Sequence, residues 1–196
     1  MRRTKLILAS TSTYRRQLLE RLEVPFAVAN PGIDETPINS ESPEELVQRL
    51  ANAKASAVAK LNPGAVVIGS DQVAVMDGKI TGKPGTHGAA VQQLRMASGK
   101  EIVFLTGLCC YISNGVADTV LLDVVPFRVV FRHLRAEQIE GYLQREKPYD
   151  CAGSFKSEGL GVALFERMIG DDPSALMGLP LIKLTTMLEK VGISVI

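Results

Sequence analysis

A chain of 196 residues, 46% hydrophobic and 22% charged, has material for one domain with a sizeable core and too ordinary a composition for a disordered or fibrous protein. Its 22 Lys and Arg against 21 Asp and Glu leave a net charge of +1. No overall field exists to hold a polyanion, so generic nucleic-acid binding is set aside. With only His87 and His133, and with Cys109, Cys110 and Cys151 lacking metal-ligand spacing, any metal must be held by oxygen, which suits Mg2+ or Mn2+.

The basic start Met1-Arg2-Arg3 is followed by only four apolar residues, Leu6-Ile7-Leu8-Ala9, too few for a secretory leader, and no run is long enough to span a bilayer. Adjacent Cys109 and Cys110 in an apolar stretch read as buried reduced thiols. A cytoplasmic setting without membrane contact is therefore expected.

Lys5 to Ala9 predicts a short buried strand, and Ser10-Thr11-Ser12 offers caps for a helix carrying Leu18, Leu19 and Leu22 on one face. Phe26 to Ala29 predicts a second strand, and residues 31–42 a polar loop holding Asp34 and Glu35. Ser42-Pro43-Glu44-Glu45 has the form of a capping box with proline in the first turn, opening a helix that runs to about Leu61. Ala65 to Gly69 predicts a buried strand ending at Ser70-Asp71-Gln72, and Asp77-Gly78 a hairpin turn between Val73 to Val75 and Lys79-Ile80. Thr86 caps a third helix ending near Ser98-Gly99. Strands follow around residues 102–111 and 118–131 with Asn114-Gly115 between them, then a helix over Ala136 to Arg145, a glycine-rich stretch with Gly153, Gly159 and Gly161, and a last helix from Pro180 to Val191. Alternating strands and helices followed by a long hairpin predict an α/β fold, a mixed twisted β-sheet flanked by helices, within a single domain over residues 1–196.

Several residue patterns suit chemistry. Ser10 to Arg16 lies between a strand and a helix, where backbone N–H groups and the helix dipole attract phosphate. Ser12 and one of Arg15 or Arg16 would strengthen that pull, since helical neighbours point about 100° apart; simple capping with solvated arginines is the bland alternative. Asp71, at a predicted strand end, suits binding a cation or activating water, or else a turn that bonds its own backbone. Gly78 to Pro84 fails as a phosphate-binding P-loop, because its spacing is short and Pro84 replaces the required hydroxyl; Lys83 remains a candidate for phosphate or an ordinary surface lysine. Lys54, in the alanine-rich Leu50 to Ala55, reads by itself as a solvated helix face. Asp34-Glu35 reads as a polar turn or a second carboxylate source for a metal, and Glu158 as a loop residue facing solvent or ligand.

In order along the chain, Leu6-Ile7-Leu8-Ala9-Ser10 with Ser12 and Arg15, Asp34-Glu35, Leu50-Ala51 with Lys54-Ala55, Ile68-Gly69-Ser70-Asp71, Gly82-Lys83-Pro84, Ala152-Gly153 with Gly159, and Gly178-Leu179-Pro180 resemble the Maf family. The resemblance runs from Leu6 to about Leu188. It implies a nucleoside triphosphate pyrophosphatase with an inosine-triphosphatase-like fold and a deep cleft, frequent homodimers, and a divalent metal, Mg2+ or Mn2+. It further implies Asp71 as catalytic base. In the mechanism expected from these residues, Ser12, Arg15, Lys54 and Lys83 hold the phosphates together with the metal, and Glu35 is the second choice after Asp71 for a metal ligand, the metal and base roles not being assigned separately. Thr13 departs from the family's usual proline. Tyr14, Gln72 and Glu158 resemble the branch acting on 7-methyl-GTP rather than on thymidine or uridine triphosphates. Tyr14 would stack on the cationic methylated base, Glu158 would neutralise it, and Gln72, able to donate and accept, would read a base or sugar oxygen. A non-catalytic regulator of septum formation, the role for which the family was named, is the rival from another class.

Overall fold

The computed structural model describes residues 4–115 and 117–196; the start Met1-Arg2-Arg3 and Val116 lie outside the described residues. The elements are β1 (Leu6–Ala9), α1 (Thr13–Glu20), β2 (Ala27–Ala29), α2 (Pro43–Lys60), β3 (Val66–Met76), β4 (Lys79–Thr81), α3 (His87–Ala97), β5 (Glu101–Ile112), β6 (Thr119–Phe131), α4 (Ala136–Glu146), β7 (Phe165–Ile169) and α5 (Leu181–Lys190), with short 3-10 turns at Ala152–Ser154, Leu160–Leu164 and Pro173–Met177. Seven strands form one sheet in the order β2-β1-β3-β5-β6-β7, with β4 paired to β3. β1 is parallel to β2 and β3, whereas β3–β4 and β6–β7 are antiparallel. The fold is thus mixed α/β. No helix among the described residues is long and apolar enough to cross a membrane.

The chain divides into two compact units: unit 1 holds Met1–Gln72, Thr106–Val125 and Asp172–Ile196, and unit 2 holds Val73–Leu105 and Pro126–Asp171. In unit 1 the two-residue period of a strand sorts side chains onto two covered faces. Leu6, Leu8, Val66, Ile68, Leu108 and Cys110 pack with Leu18 and Leu19 of α1 and Leu184 and Leu188 of α5. Ile7, Ala9, Val67, Cys109 and Tyr111 pack on the other side with Ala51, Ala55, Val58 and Ala59 of α2. A strand covered on both faces reads as an unbroken apolar run, which is how β1 and the start of β3 read.

Helix α2 comes unusually close to the sheet. A Cβ on Gly69 would sit 2.1 Å from the Ala51 carbonyl oxygen, and one on Gly107 would sit 2.2 Å from that of Val47. Glycine on the strands facing alanine on the helix lets backbone meet backbone. The start of α2 forms as its sequence requires: Glu45 N donates to Ser42 Oγ (3.2 Å) and Ser42 N to Glu45 Oε2 (2.7 Å).

Unit 2 is held by rings. Phe155 stacks edge to face against Phe104, Phe131 and Phe165, at centroid separations of 5.3, 5.7 and 4.8 Å. The predicted β3–β4 turn forms with Asp77 and Gly78 both at positive φ (51° and 74°), the geometry of a tight hairpin. His87 at the start of α3 sits 3.0 Å from both the Tyr149 hydroxyl and the Glu140 carboxylate of α4.

The structure differs from the sequence reading in two places. The strand expected to end at Ser70-Asp71-Gln72 and the hairpin arm expected at Val73 to Val75 are one unbroken strand, β3, that runs on to Met76. These polar residues resemble a turn, yet each is accepted inside the strand because its side chain finds a partner. β7 emerges from the glycine-rich stretch, pairing Arg128 with Ile169 and Val130 with Arg167.

Candidate active site

Lys54 lies on the face of α2 that also carries Leu50, Ala51, Ala55 and Val58, and that face is turned to the sheet. Only 4% of it is exposed. A desolvated ammonium needs countercharge, and it has two: Nζ is 2.7 Å from Asp71 Oδ1 and 2.8 Å from Glu35 Oε1. Asp71 is itself buried on β3. The close approach at Gly69, two residues before Asp71, brings the middle of α2 within reach of that carboxylate.

Glu35 arrives from the loop before α2, and that loop has its own clamp. Asp34 Oδ1 accepts from Thr36 N (2.9 Å) and the Thr36 hydroxyl (2.6 Å). Arg49 of α2 donates to both oxygens of Glu41 (2.8 and 2.6 Å) and to the Thr36 carbonyl (3.2 Å). The Arg49 guanidinium holds the Glu41 carboxyl at about 2, well below its usual range. The Asp34-Glu35 pair therefore splits its duties: Asp34 ties the loop, and Glu35 reaches the lysine.

Arg15 and Arg16 also separate. Arg16 pairs on the surface with Glu20 at 3.0 Å. Arg15 donates from Nε to the Gly178 carbonyl at 2.8 Å. Burial pulls its pKa down, while Asp71 and Glu35 pull it up, so Arg15 lies in the field of both carboxylates. Ser12 caps α1, its hydroxyl accepting from Arg15 N, and Tyr14 is half-buried on the same helix.

The turn Pro173–Met177 and Gly178 supply carbonyls to this region. Ser70 Oγ lies 2.8 Å from the Gly107 oxygen and 3.0 Å from that of Gly178. Gln72 Nε2 donates to Thr106 Oγ1 (2.9 Å), the Ala175 carbonyl (2.7 Å) and the Leu176 carbonyl (3.2 Å). Thr106 Oγ1 donates to Ala175 (2.9 Å). Gly178 holds a φ of 99°, a conformation costly for residues with a Cβ. The turn is fastened by buried Asp172, whose Oδ1 accepts from Ser174 Oγ (2.5 Å) and whose Oδ2 accepts from Ile182 N (2.8 Å) at the start of α5.

Within unit 1 the structure thus brings Lys54, Asp71, Glu35 and Arg15 together and ties Arg15 and Gln72 to one turn. Lys83 and Glu158 belong to unit 2 and are exposed there; the Ser157 hydroxyl lies 3.3 Å from Glu158 Oε2. Sequence reasoning missed Arg49, Thr106 and Asp172. The pair Arg49–Glu41, eight residues apart across a helix start, carried a signal; a lone threonine in an apolar strand carried none. Among the described residues no group of three or more His, Cys, Asp or Glu side chains gathers to hold a metal.

Two carboxylates, Asp71 and Glu35, thus meet the buried ammonium of Lys54 and the half-buried guanidinium of Arg15 on a mixed α/β sheet. Residues 5–191 match the family described as Maf-like protein, and the chain belongs to that family. Relatives named 7-methyl-GTP pyrophosphatase are similar over nearly the whole chain. That of Nitrosococcus oceani is 57% identical over 192 residues, covering 97% of this chain and 95% of the relative. That of Methylobacillus flagellatus is 54% identical over 191 residues, covering 97% and 98%. That of Vibrio parahaemolyticus is 52% identical over 196 residues and covers both chains completely. Among solved structures, the Staphylococcus aureus Ham1 protein is 14% identical with a TM-score of 0.49, covering 96% of this chain and 100% of that one.

Proposed function

We propose that this chain is a nucleoside triphosphate pyrophosphatase that hydrolyses 7-methyl-GTP to 7-methyl-GMP and pyrophosphate. The observation that carries this reading is the convergence of Asp71 and Glu35 on buried Lys54, with Arg15 in their field. The names of relatives at 52–57% identity support the substrate.

Water attacks phosphorus in line, the α–β phosphoanhydride breaks, and pyrophosphate leaves with the bonding electron pair. Asp71 orients that water and takes its proton. Arg15 and Lys54, with the start of α1 at Ser12, hold the triphosphate charge, the main demand of phosphoryl transfer. Asp71 and Glu35 already meet a cation between their oxygens, the ammonium of Lys54. Two carboxylates supplemented by ligand phosphate oxygens suit Mg2+ or Mn2+. When bound, such an ion supplies charge neutralisation and lowers the pKa of water. Tyr14 stacks on the cationic base. Burial pushes the Cys109 and Cys110 thiols up to about 12, and their reduced state supports a cytoplasmic setting.

The test is a panel of 7-methyl-GTP, GTP, dTTP and UTP assayed for pyrophosphate with Mg2+ or Mn2+, and again after exhaustive chelation. Preferential, metal-dependent release from 7-methyl-GTP is expected. A preference for dTTP or UTP replaces the substrate, full activity after chelation removes the metal, and binding without release favours a non-catalytic regulator.

A further inference from the structure

Thr106 is wholly buried in β5, in a strand otherwise built of apolar residues and glycine around it. A buried hydroxyl must be satisfied, and this one is satisfied in a single sense. Its proton goes to the Ala175 carbonyl, which can only accept. With its only proton so engaged, the oxygen can act towards other neighbours only as an acceptor, and the group beside it is the Gln72 amide at 2.9 Å. The same end of that amide faces the carbonyls of Ala175 and Leu176 at 2.7 and 3.2 Å. Turning the amide over would set its oxygen against two carbonyl oxygens and leave Thr106 without a donor. Chemistry alone thus fixes which end of Gln72 is nitrogen.

We infer that Thr106 is a positioning residue for nucleoside recognition: it locks the Gln72 amide so that Gln72 meets the ligand only through Oε1, as an acceptor. The inference rests on the reading of Gln72 as a recognition residue. It changes what Gln72 recognises. A base or sugar oxygen is no longer a suitable partner, because the amide protons are already engaged; the partner is an N–H or O–H donor of the nucleoside. The nucleoside has four such groups, the guanine N1–H, its exocyclic amine and the ribose 2′- and 3′-hydroxyls, of which the amine and the 2′-hydroxyl can each be removed singly. The carbonyls that complete the lock come from the turn before Gly178-Leu179-Pro180, which gives that C-terminal motif a part in recognition through Gln72 and in phosphate binding through Arg15.

Thr106→Val nearly preserves shape and removes both hydroxyl bonds; Thr106→Ser preserves them. The first readout needs no substrate: hydrogen exchange and rotation of the Gln72 side-chain amide by NMR. These are expected to be slow in the wild type and in Thr106→Ser, and fast in Thr106→Val. The second readout is kcat/KM for 7-methyl-GTP, for 7-methyl-ITP, which lacks the exocyclic amine, and for the 2′-deoxy form of 7-methyl-GTP. Wild type should discriminate against one of the two analogues, and that analogue identifies the donor. Thr106→Val should shrink the discrimination by about 3- to 10-fold, the worth of one neutral hydrogen bond, through KM with kcat little changed, and Thr106→Ser should restore it. Unaltered amide exchange in Thr106→Val, or an equal loss with all three nucleotides, overturns the inference. Should Thr106→Val not fold, Thr106→Ala takes its place with the same readouts. A wild type that releases pyrophosphate from no nucleotide defeats the functional reading itself, before any variant is compared.

Discussion

Among the described residues, the buried polar and charged side chains Ser10, Lys54, Ser70, Asp71, Thr106, Asp172 and Ser174 lie in unit 1 and only Ser154 lies in unit 2. Unit 2 is organised instead around Phe104, Phe131, Phe155 and Phe165. A buried charge is a poor way to gain stability, since desolvation offsets most of the attraction, whereas an aromatic cluster is an effective one. Unit 1 therefore carries Lys54 and Asp71 at little gain in stability, whereas unit 2 holds its phenylalanines for what they weigh. Variants that damage one quantity and spare the other can break this contrast.

The largest effect is expected from Asp71→Asn. The side chain keeps its shape and loses its charge and proton affinity, so pyrophosphate release should fall by about 10²- to 10⁴-fold. Glu35 remains beside Lys54, so the far-UV circular dichroism should be unchanged. Near-wild-type turnover in the purified variant would remove Asp71 from the chemistry.

Phe131→Ala provides the opposite case. Phe131 is fully buried against Phe155 and Phe165, and truncation of such a ring costs about 3–5 kcal/mol. Urea denaturation should show that loss. A cost under about 1 kcal/mol would mean that the ring cluster is not what holds unit 2.

Gly69→Ala sharpens the comparison because it tests packing inside the charged unit. The new Cβ meets backbone, the Ala51 oxygen at 2.1 Å and the Ala55 nitrogen at 2.8 Å, so the helix must move. Overpacking of this kind costs about 1–3 kcal/mol. Turnover should fall as well, because the displaced helix carries Lys54. Thermal melts and pyrophosphate assays on the same sample separate the two effects; wild-type values in both would show that the close approach is dispensable.

The smallest effect concerns the loop that delivers Glu35. The Glu41 carboxyl stands at about 2, against an ordinary value of 4.5. A depressed carboxyl stabilises the fold above its unfolded value, and that contribution disappears as pH falls from about 4.5 towards 2. The Ile38 amide, which donates to Glu41 Oε1 at 2.8 Å, reports it. The protection of the Ile38 amide, its exchange rate set against the intrinsic rate at the same pH, should hold at pH 5 and fall progressively below pH 4.5, and Arg49→Gln should lower it already at pH 7. Equal exchange in both proteins at pH 7 would show that Arg49 is not the clamp.

Much of the fold could be read where a backbone requirement has a dedicated residue. Ser42 with Glu45, Thr86, and Asp77-Gly78 each announce a boundary that forms as expected. The end of β3 could not be read so, because Ser70, Asp71 and Gln72 look like a turn until their partners 17 to 108 residues away are known. Lys54 illustrates the same difficulty in the site. By itself a helical lysine is a solvated one. Only the meeting of alanine and glycine backbones shows that its helix lies against the sheet. Glu35 was legible as a carboxylate, but its separation from Asp34 depends on a side-chain bond to Thr36 that no spacing rule supplies. Thr106 gives no signal at all, since its role is set by carbonyl oxygens, which every residue possesses.

The bond between Arg15 and the Gly178 carbonyl spans 163 residues. During synthesis, then, the arginine leaves the ribosome long before the group that orients it exists. Unit 1 opens and closes the order of synthesis, while the two stretches of unit 2 are both finished before Asp172 is added. A nascent chain can settle its phenylalanine cluster early, but its Arg15 and Gln72 stay unaligned until the final stretch emerges and docks. Activity should consequently be the last property the growing chain acquires, appearing only after the turn at Pro173–Met177 has cleared the exit tunnel.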